Sequence, residues 1–149
     1  MIPYQPIWMD TAWEWLGIAE WLGPGESNPA IDGFHNSVAD DDTPDDIAWC
    51  SSAANALMQG VGIEGTGSRA ARSWLDWGVK LGHPAYGCIC VLWRDTPDSW
   101  KGHVGIFLGF IAGPTGADVL LWGGNQGNEV SVKRYPASRV LGYRWPGPT

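Results

Sequence analysis

The chain has no long hydrophobic run. None of its 149 residues fall in a stretch approaching the roughly 20 consecutive apolar residues that a membrane-spanning helix needs. Its first ten residues, Met-Ile-Pro-Tyr-Gln-Pro-Ile-Trp-Met-Asp, have neither the basic start nor the apolar core of an export signal. Positive charge is scarce too: nine Lys and Arg stand against sixteen Asp and Glu, a net charge of −7, and the nine are scattered. Nucleic acid and anionic membrane surfaces need a clustered basic footprint, so neither is an expected partner. Cysteine is sparse and odd in number. Three cysteines argue against a disulfide framework and leave one thiol to be explained by reactivity. No internal repeat and no low-complexity tract is visible. These absences predict a single domain spanning 1–149, a monomer made soluble in the cytoplasm, whose substrate, if it lies outside, is reached with the help of another factor.

What is present is apolar and aromatic. Hydrophobic residues make up 44% of the chain, enough to fill one core, and eleven are Trp. Large aromatics bury much area, and Trp also offers a flat platform for sugars and peptides in grooves. Residues 1–45 read as a helical layer ending in an acidic loop, and 46–149 as the catalytic core. Trp13, Leu16, Ile18, Ala19 and Leu22 fit one helical face, with Asp10 or Thr11 as N-cap and Gly23-Pro24-Gly25 as the stop. Ser27-Asn28-Pro29 starts a second helix with Ile31, Phe34 and Val38 on one stripe. A third runs from Ile47 to about Gly60, and Ser68 through Trp77 reads as a fourth. The period then changes: 87–93, 103–111, 117–122, 129–134 and 139–145 are short apolar or alternating runs between turn residues. Helices packed on an antiparallel sheet of about five strands give the α+β class.

Three segments carry chemistry: Asp-Ile-Ala-Trp-Cys-Ser-Ser at 46–52, Gly-His-Val-Gly at 102–105 and Gly-Gly-Asn-Gln at 123–126. A thiol hydrolase needs a thiolate, an imidazole to take and return its proton, and a polar group that fixes the imidazole's tautomer. Cys50 falls in the first turn of the expected third helix, where free backbone amides and the helix dipole favour an anion. Cys88 and Cys90 share one face of a strand and read as packing residues. His103 begins an apolar strand between glycines, open enough to reach a thiol. His35, on a polar helix edge, and His83, in a loop, read as structural. For the orienting group, Asn125 is the first choice and Gln126 its main competitor, with Asn128 and Glu129 further candidates.

In these segments and their order the chain resembles the CHAP group (cysteine, histidine-dependent amidohydrolases/peptidases) of the papain-like superfamily. It is especially similar to a bacterial and phage-encoded subgroup with Gly-Pro-Gly-x-Ser-Asn-Pro, Trp-Cys, Gly-Thr-Gly-Ser-x-x-Ala-Arg-Ser-Trp-Leu, Gly-His-Val-Gly, Gly-Gly-Asn-Gln and Gly-Tyr-Arg-Trp-Pro. Here these stand at 23–29, 49–50, 65–75, 102–105, 123–126 and 142–146. The likeness spans roughly residues 10–146; one motif alone is weak, six in order are not. The chain departs from the pattern at Ile47-Ala48, where Pro or a similar residue usually precedes Trp-Cys, and at Gly87-Cys88-Ile89, where Gly-Asp is usual.

The resemblance implies hydrolysis of peptidoglycan amide bonds, either as a stem-peptide endopeptidase or as an N-acetylmuramoyl-L-alanine amidase. Cys50 would be the nucleophile, His103 the base and then the acid, and Asn125 the orienting group, with no metal or organic cofactor. Trp49, Trp74 and Gln126, within the shared segments, and Trp122, just before one of them, are the candidate substrate contacts. Bacterial peptidoglycan is the expected partner and a phage lysis enzyme (endolysin) the expected setting. The alternatives are an antibacterial amidase effector and a non-catalytic wall-binding or virion structural module. Some CHAP domains hold calcium before the nucleophile. Asp40, Asp41, Asp42, Asp45 and Asp46 lack EF-hand spacing, and a solvated acidic loop is the expectation.

Overall fold

The structure is a computed structural model that describes residues 5–39 and 48–148. The aspartates at 40–46, and the calcium question attached to them, lie outside these residues. Three α-helices come first: α1 (Trp8–Glu14), α2 (Pro29–Asn36) and α3 (Cys50–Gln59). A 3-10 turn at Ala71–Asp76 leads into six strands: β1 (Val79–Leu81), β2 (Ile89–Trp93), β3 (Gly102–Gly113), β4 (Gly116–Gly123), β5 (Ser131–Pro136) and β6 (Val140–Trp145). All neighbouring strands are antiparallel, in the order β1-β6-β2-β3-β4-β5. The architecture is therefore α+β with one open sheet.

Local sequence accounts for most of these elements. Asn28 has an extended backbone, its side chain accepts from the Ala30 amide at 2.9 Å, and Pro29 fills the first helical position without wasting a donor. The α3 start differs, since Trp49 offers no capping side chain and the first-turn amides are left free of one. Small residues make α3 slim: Cys50, Ser51, Ser52, Ala53 and Ala54 are all buried, so the helix lies close against β3 and β4.

Several boundaries differ from the sequence reading. The first helix begins at Trp8, before the expected cap, and stops at Glu14, leaving Leu16 and Leu22 exposed. Residues 68–77 hold a 3-10 turn rather than an α-helix. The sheet has six strands, not about five, because Val79-Lys80-Leu81 is too short and too exposed to display an alternation.

Two apolar clusters lie about the sheet. The larger joins α1, α2 and α3 to the sheet through Trp8, Met9, Ile31, Trp49, Leu57, Trp74, Ile106 and Trp122, so α1 and α2 share one core with the rest of the described residues. The smaller gathers Cys88, Cys90, Leu92, Phe107, Val119 and Leu121. Indole N–H groups tie distant segments together: Trp122 donates to the Ala12 carbonyl at 2.7 Å, Trp8 to Gly87 at 2.9 Å and Trp74 to Ser51 Oγ at 2.9 Å.

Candidate active site

Residues from three elements converge at one end of the sheet. Cys50 is the first residue of α3, His103 the second of β3, and Gln126 sits in the turn after β4. The pairing of β2 with β3 sets His103 opposite Leu92 and Val104 opposite Val91. Both Cys50 and His103 are only 8% exposed, so the pair is shielded yet reachable.

The Cys50 thiol is held below its ordinary value. Burial pushes it up, but the hydrogen bond and positive charge of the His103 side chain, with the backbone amides of Val104 and Ser51, outweigh burial. The other two thiols go the opposite way. Burial pushes Cys88 up to about 11 and Cys90 higher still, so both stay neutral packing residues, as their shared strand face suggested.

His103 Nε2 lies 2.8 Å from Gln126 Oε1. The Gln126 amide nitrogen is committed elsewhere, donating to the Ser131 carbonyl at 2.8 Å and the Leu121 carbonyl at 3.3 Å. Its oxygen must therefore face the ring, so Nε2 carries the proton and donates, leaving Nδ1 as the basic nitrogen. Tyr135 of β5 backs the imidazole, with ring centroids 5.2 Å apart.

Gln126, not Asn125, thus takes the orienting position. Asn125 has a left-handed backbone (φ 58°), a conformation Asn tolerates, and this turn carries Gln126 inward beneath the imidazole. Asn125 lines the cleft above the pair instead. Close approach governs the preceding glycines. A Cβ on Gly123 would stand 2.5 Å from Gln126 Oε1, and one on Gly124 would stand 2.7 Å from both the Ala53 Cβ and the Trp49 ring.

No family model matches the chain. A search of curated proteins gives no match either.

The three Trp expected to touch substrate lie in the interior. Trp49 and Trp74 are wholly buried and Trp122 is 1% exposed; each is spent on the core. Much of the segment at 65–75 is likewise packed into the fold, although Arg69, Ala70 and Ala71 also line the cleft over the pair. Asn55 on α3 accepts from the Gly67 amide at 3.0 Å, Ser51 donates to the Ser68 carbonyl at 2.6 Å, and Trp74 closes the cluster on Ser51. His35 is not on a polar edge but fully buried, its Nδ1 2.8 Å from Ser52 Oγ and 3.2 Å from Arg69 Nε. His83 is exposed in its loop.

The open cleft over Cys50 and His103 has a volume of about 260 Å³. Its walls include Arg69, Arg94, Trp100, Lys101 and Asn125. Sequence reasoning missed the lip at 94–101, which its Asp, Pro and Ser content marks only as a loop. The available signal was an aromatic and a cation immediately before Gly-His-Val-Gly. Among the described residues no three His, Cys, Asp or Glu gather as a metal site, and no helix is long and apolar enough to cross a membrane.

Proposed function

We propose that the protein is a cysteine hydrolase of amide bonds, with Cys50 as nucleophile, His103 as base and acid, and Gln126 as the residue that orients the imidazole. The observation carrying this reading is a buried thiol whose pKa is lowered, against the effect of burial, by an imidazole whose far nitrogen is fixed by Gln126. A merely structural cysteine at the same depth would be raised, as Cys88 and Cys90 are. A thiol at a helix start, an imidazole at the start of the third strand and an amide acceptor after the fourth support a papain-like arrangement of the CHAP kind.

In the proposed reaction the Cys50 thiolate attacks the amide carbonyl and His103, protonated, donates to the leaving amine, giving a thioester. Water, deprotonated at Nδ1 of the same imidazole, then attacks the thioester, and Cys50 leaves as the thiolate while the acid is released. The tetrahedral oxyanion needs donors, and the first-turn amides of α3, beginning with that of Cys50, carry no side-chain cap and are the candidates. Gln126 changes neither charge nor bonding but keeps Nδ1 turned toward the thiol.

Peptidoglycan is the proposed substrate, on the strength of the six shared segments, and cell-wall lysis the proposed role. Digesting purified sacculi and identifying the new ends by mass spectrometry tests both. New amine and carboxyl ends should appear with wild type and not with Cys50→Ala. Equal release by Cys50→Ala would remove Cys50 from the reaction. No release by either would remove peptidoglycan as substrate.

A further inference from the structure

The cleft is chemically unlike the rest of the molecule. The chain carries a net charge of −7, yet three of its cations, Arg69, Arg94 and Lys101, line this one cleft, and no described Asp or Glu does. Two of the three have tasks. Lys101 pairs with Asp95 at 3.1 Å, and Arg69 donates to His35 Nδ1 at 3.2 Å and to the His35 carbonyl at 3.3 Å. Arg94 is exposed, and no hydrogen bond or ion pair among the described residues engages its guanidinium.

Arg94 also sits on a lip that is already ordered. Arg72, from the 3-10 turn, donates to the carbonyls of Lys101, Pro97 and Thr96 at 2.8, 2.9 and 3.2 Å and so pins the loop joining β2 to β3. Asp95 turns the chain there with a left-handed backbone (φ 65°), directly after Arg94. Trp100, at the other end of the lip, is 80% exposed and lines the same cleft. An exposed indole and an unengaged guanidinium on one pre-ordered lip form a built surface: the fork of Arg matches a carboxylate in two parallel hydrogen bonds, and the indole covers the apolar body beside it.

We propose that Arg94, flanked by Trp100, is a specificity residue that binds a carboxylate of the substrate, so that the cleft accepts an acidic peptide next to the bond presented to Cys50. The proposal rests on the amide-hydrolase reading and adds the charge of the substrate to it. Arg94 touches the substrate and takes no part in bond making. Its loss weakens binding of the acidic form without altering the chemistry at Cys50.

Protection of Cys50 from iodoacetamide tests this without requiring turnover. The probes are a disaccharide-tetrapeptide with its carboxyl groups free and the same compound with them amidated. In the wild type the acidic probe should protect at a concentration about 10-fold lower or more. Arg94→Gln should bring the two probes level, Arg94→Lys should keep part of the preference, and Lys80→Gln, an equal change of net charge on β1, should keep all of it. Equal protection in the wild type, protection by neither probe, or a preference that survives Arg94→Gln would each overturn the proposal. Release of new ends from sacculi by the wild type is scored separately and decides the hydrolase reading alone.

Discussion

At the scale of single residues, the site turns on which of two adjacent amides meets the imidazole. Gln126 is 3% exposed and donates to two carbonyls while its oxygen holds His103, so its rotamer is fixed from both ends. Asn125 lines the open cleft, and among the described residues no hydrogen bond ties it to the ring. Gln126→Ala should therefore lower kcat by roughly 10-fold to 100-fold, since a ring free to turn presents the wrong nitrogen part of the time. Asn125→Ala should act mainly on KM. Steady-state kinetics on both variants settles the ranking, and a larger kcat loss in Asn125→Ala would return the orienting role to that residue. The sequence made both amides visible but not their order, because a Gly-Gly-Asn-Gln turn does not reveal which residue adopts the left-handed backbone. The burial of Trp49, Trp74 and Trp122 was not legible for a related reason: an indole near a nucleophile looks alike in sequence whether it lines a groove or fills the core.

At the scale of elements, the pairing of Cys50 with His103 depends on how closely the start of α3 approaches the end of β4. Gly124 sets that distance, since any side chain there meets Ala53 and the Trp49 ring at 2.7 Å. Gly124→Ala should push α3 outward, destabilise the fold by about 1–3 kcal/mol and slow alkylation of Cys50 at pH about 6.5 by separating the thiol from His103. Gly109, where an added Cβ meets nothing within 4 Å, provides the control: Gly109→Ala should leave the labelling rate unchanged. Labelling followed by peptide mapping reads Cys50 apart from Cys88 and Cys90, and wild-type reactivity in Gly124→Ala would mean that this contact does not set the pair's geometry. The elements themselves were largely legible. Helical spacing marks α2 and α3, whereas the face expected for the first helix leaves Leu16 and Leu22 exposed, and five of the six strands show as short apolar or alternating runs, continuous in β2 because Ile89 to Leu92 are all buried. The three-residue β1 spans too little of its period to be seen. Residues 71–76 could not be told from an α-helix because 3-10 and α turns place much the same residues inward over one or two turns.

At the scale of the whole molecule, buried thiols tie stability to pH in two opposite directions. Cys50 is ionised more readily in the folded chain than in the unfolded one, so its contribution is present at high pH and lost as pH falls through its lowered pKa. Cys88 is held up at about 11 against an ordinary 9.0, Cys90 is raised further, and Tyr135 and Tyr143 stand at about 12 against 10.0, with burial the first cause in each. For these four the folded value exceeds the unfolded one. Their contribution is complete below the unfolded value and drains away as pH climbs toward the folded value, because only the unfolded chain then gains by releasing protons. Urea unfolding followed by Trp fluorescence should therefore give a stability that climbs from neutral pH toward the ordinary thiol value on the share of Cys50, then falls by up to about 1.4 kcal/mol per pH unit for each of Cys88 and Cys90. Cys88→Ala should remove one thiol's share of that slope over the interval from 9.0 to about 11, whatever it does to stability at neutral pH. A slope identical to wild type would mean that Cys88 ionises in the folded state as freely as in the unfolded one, and that the cluster of Cys88, Cys90, Leu92 and Phe107 admits water.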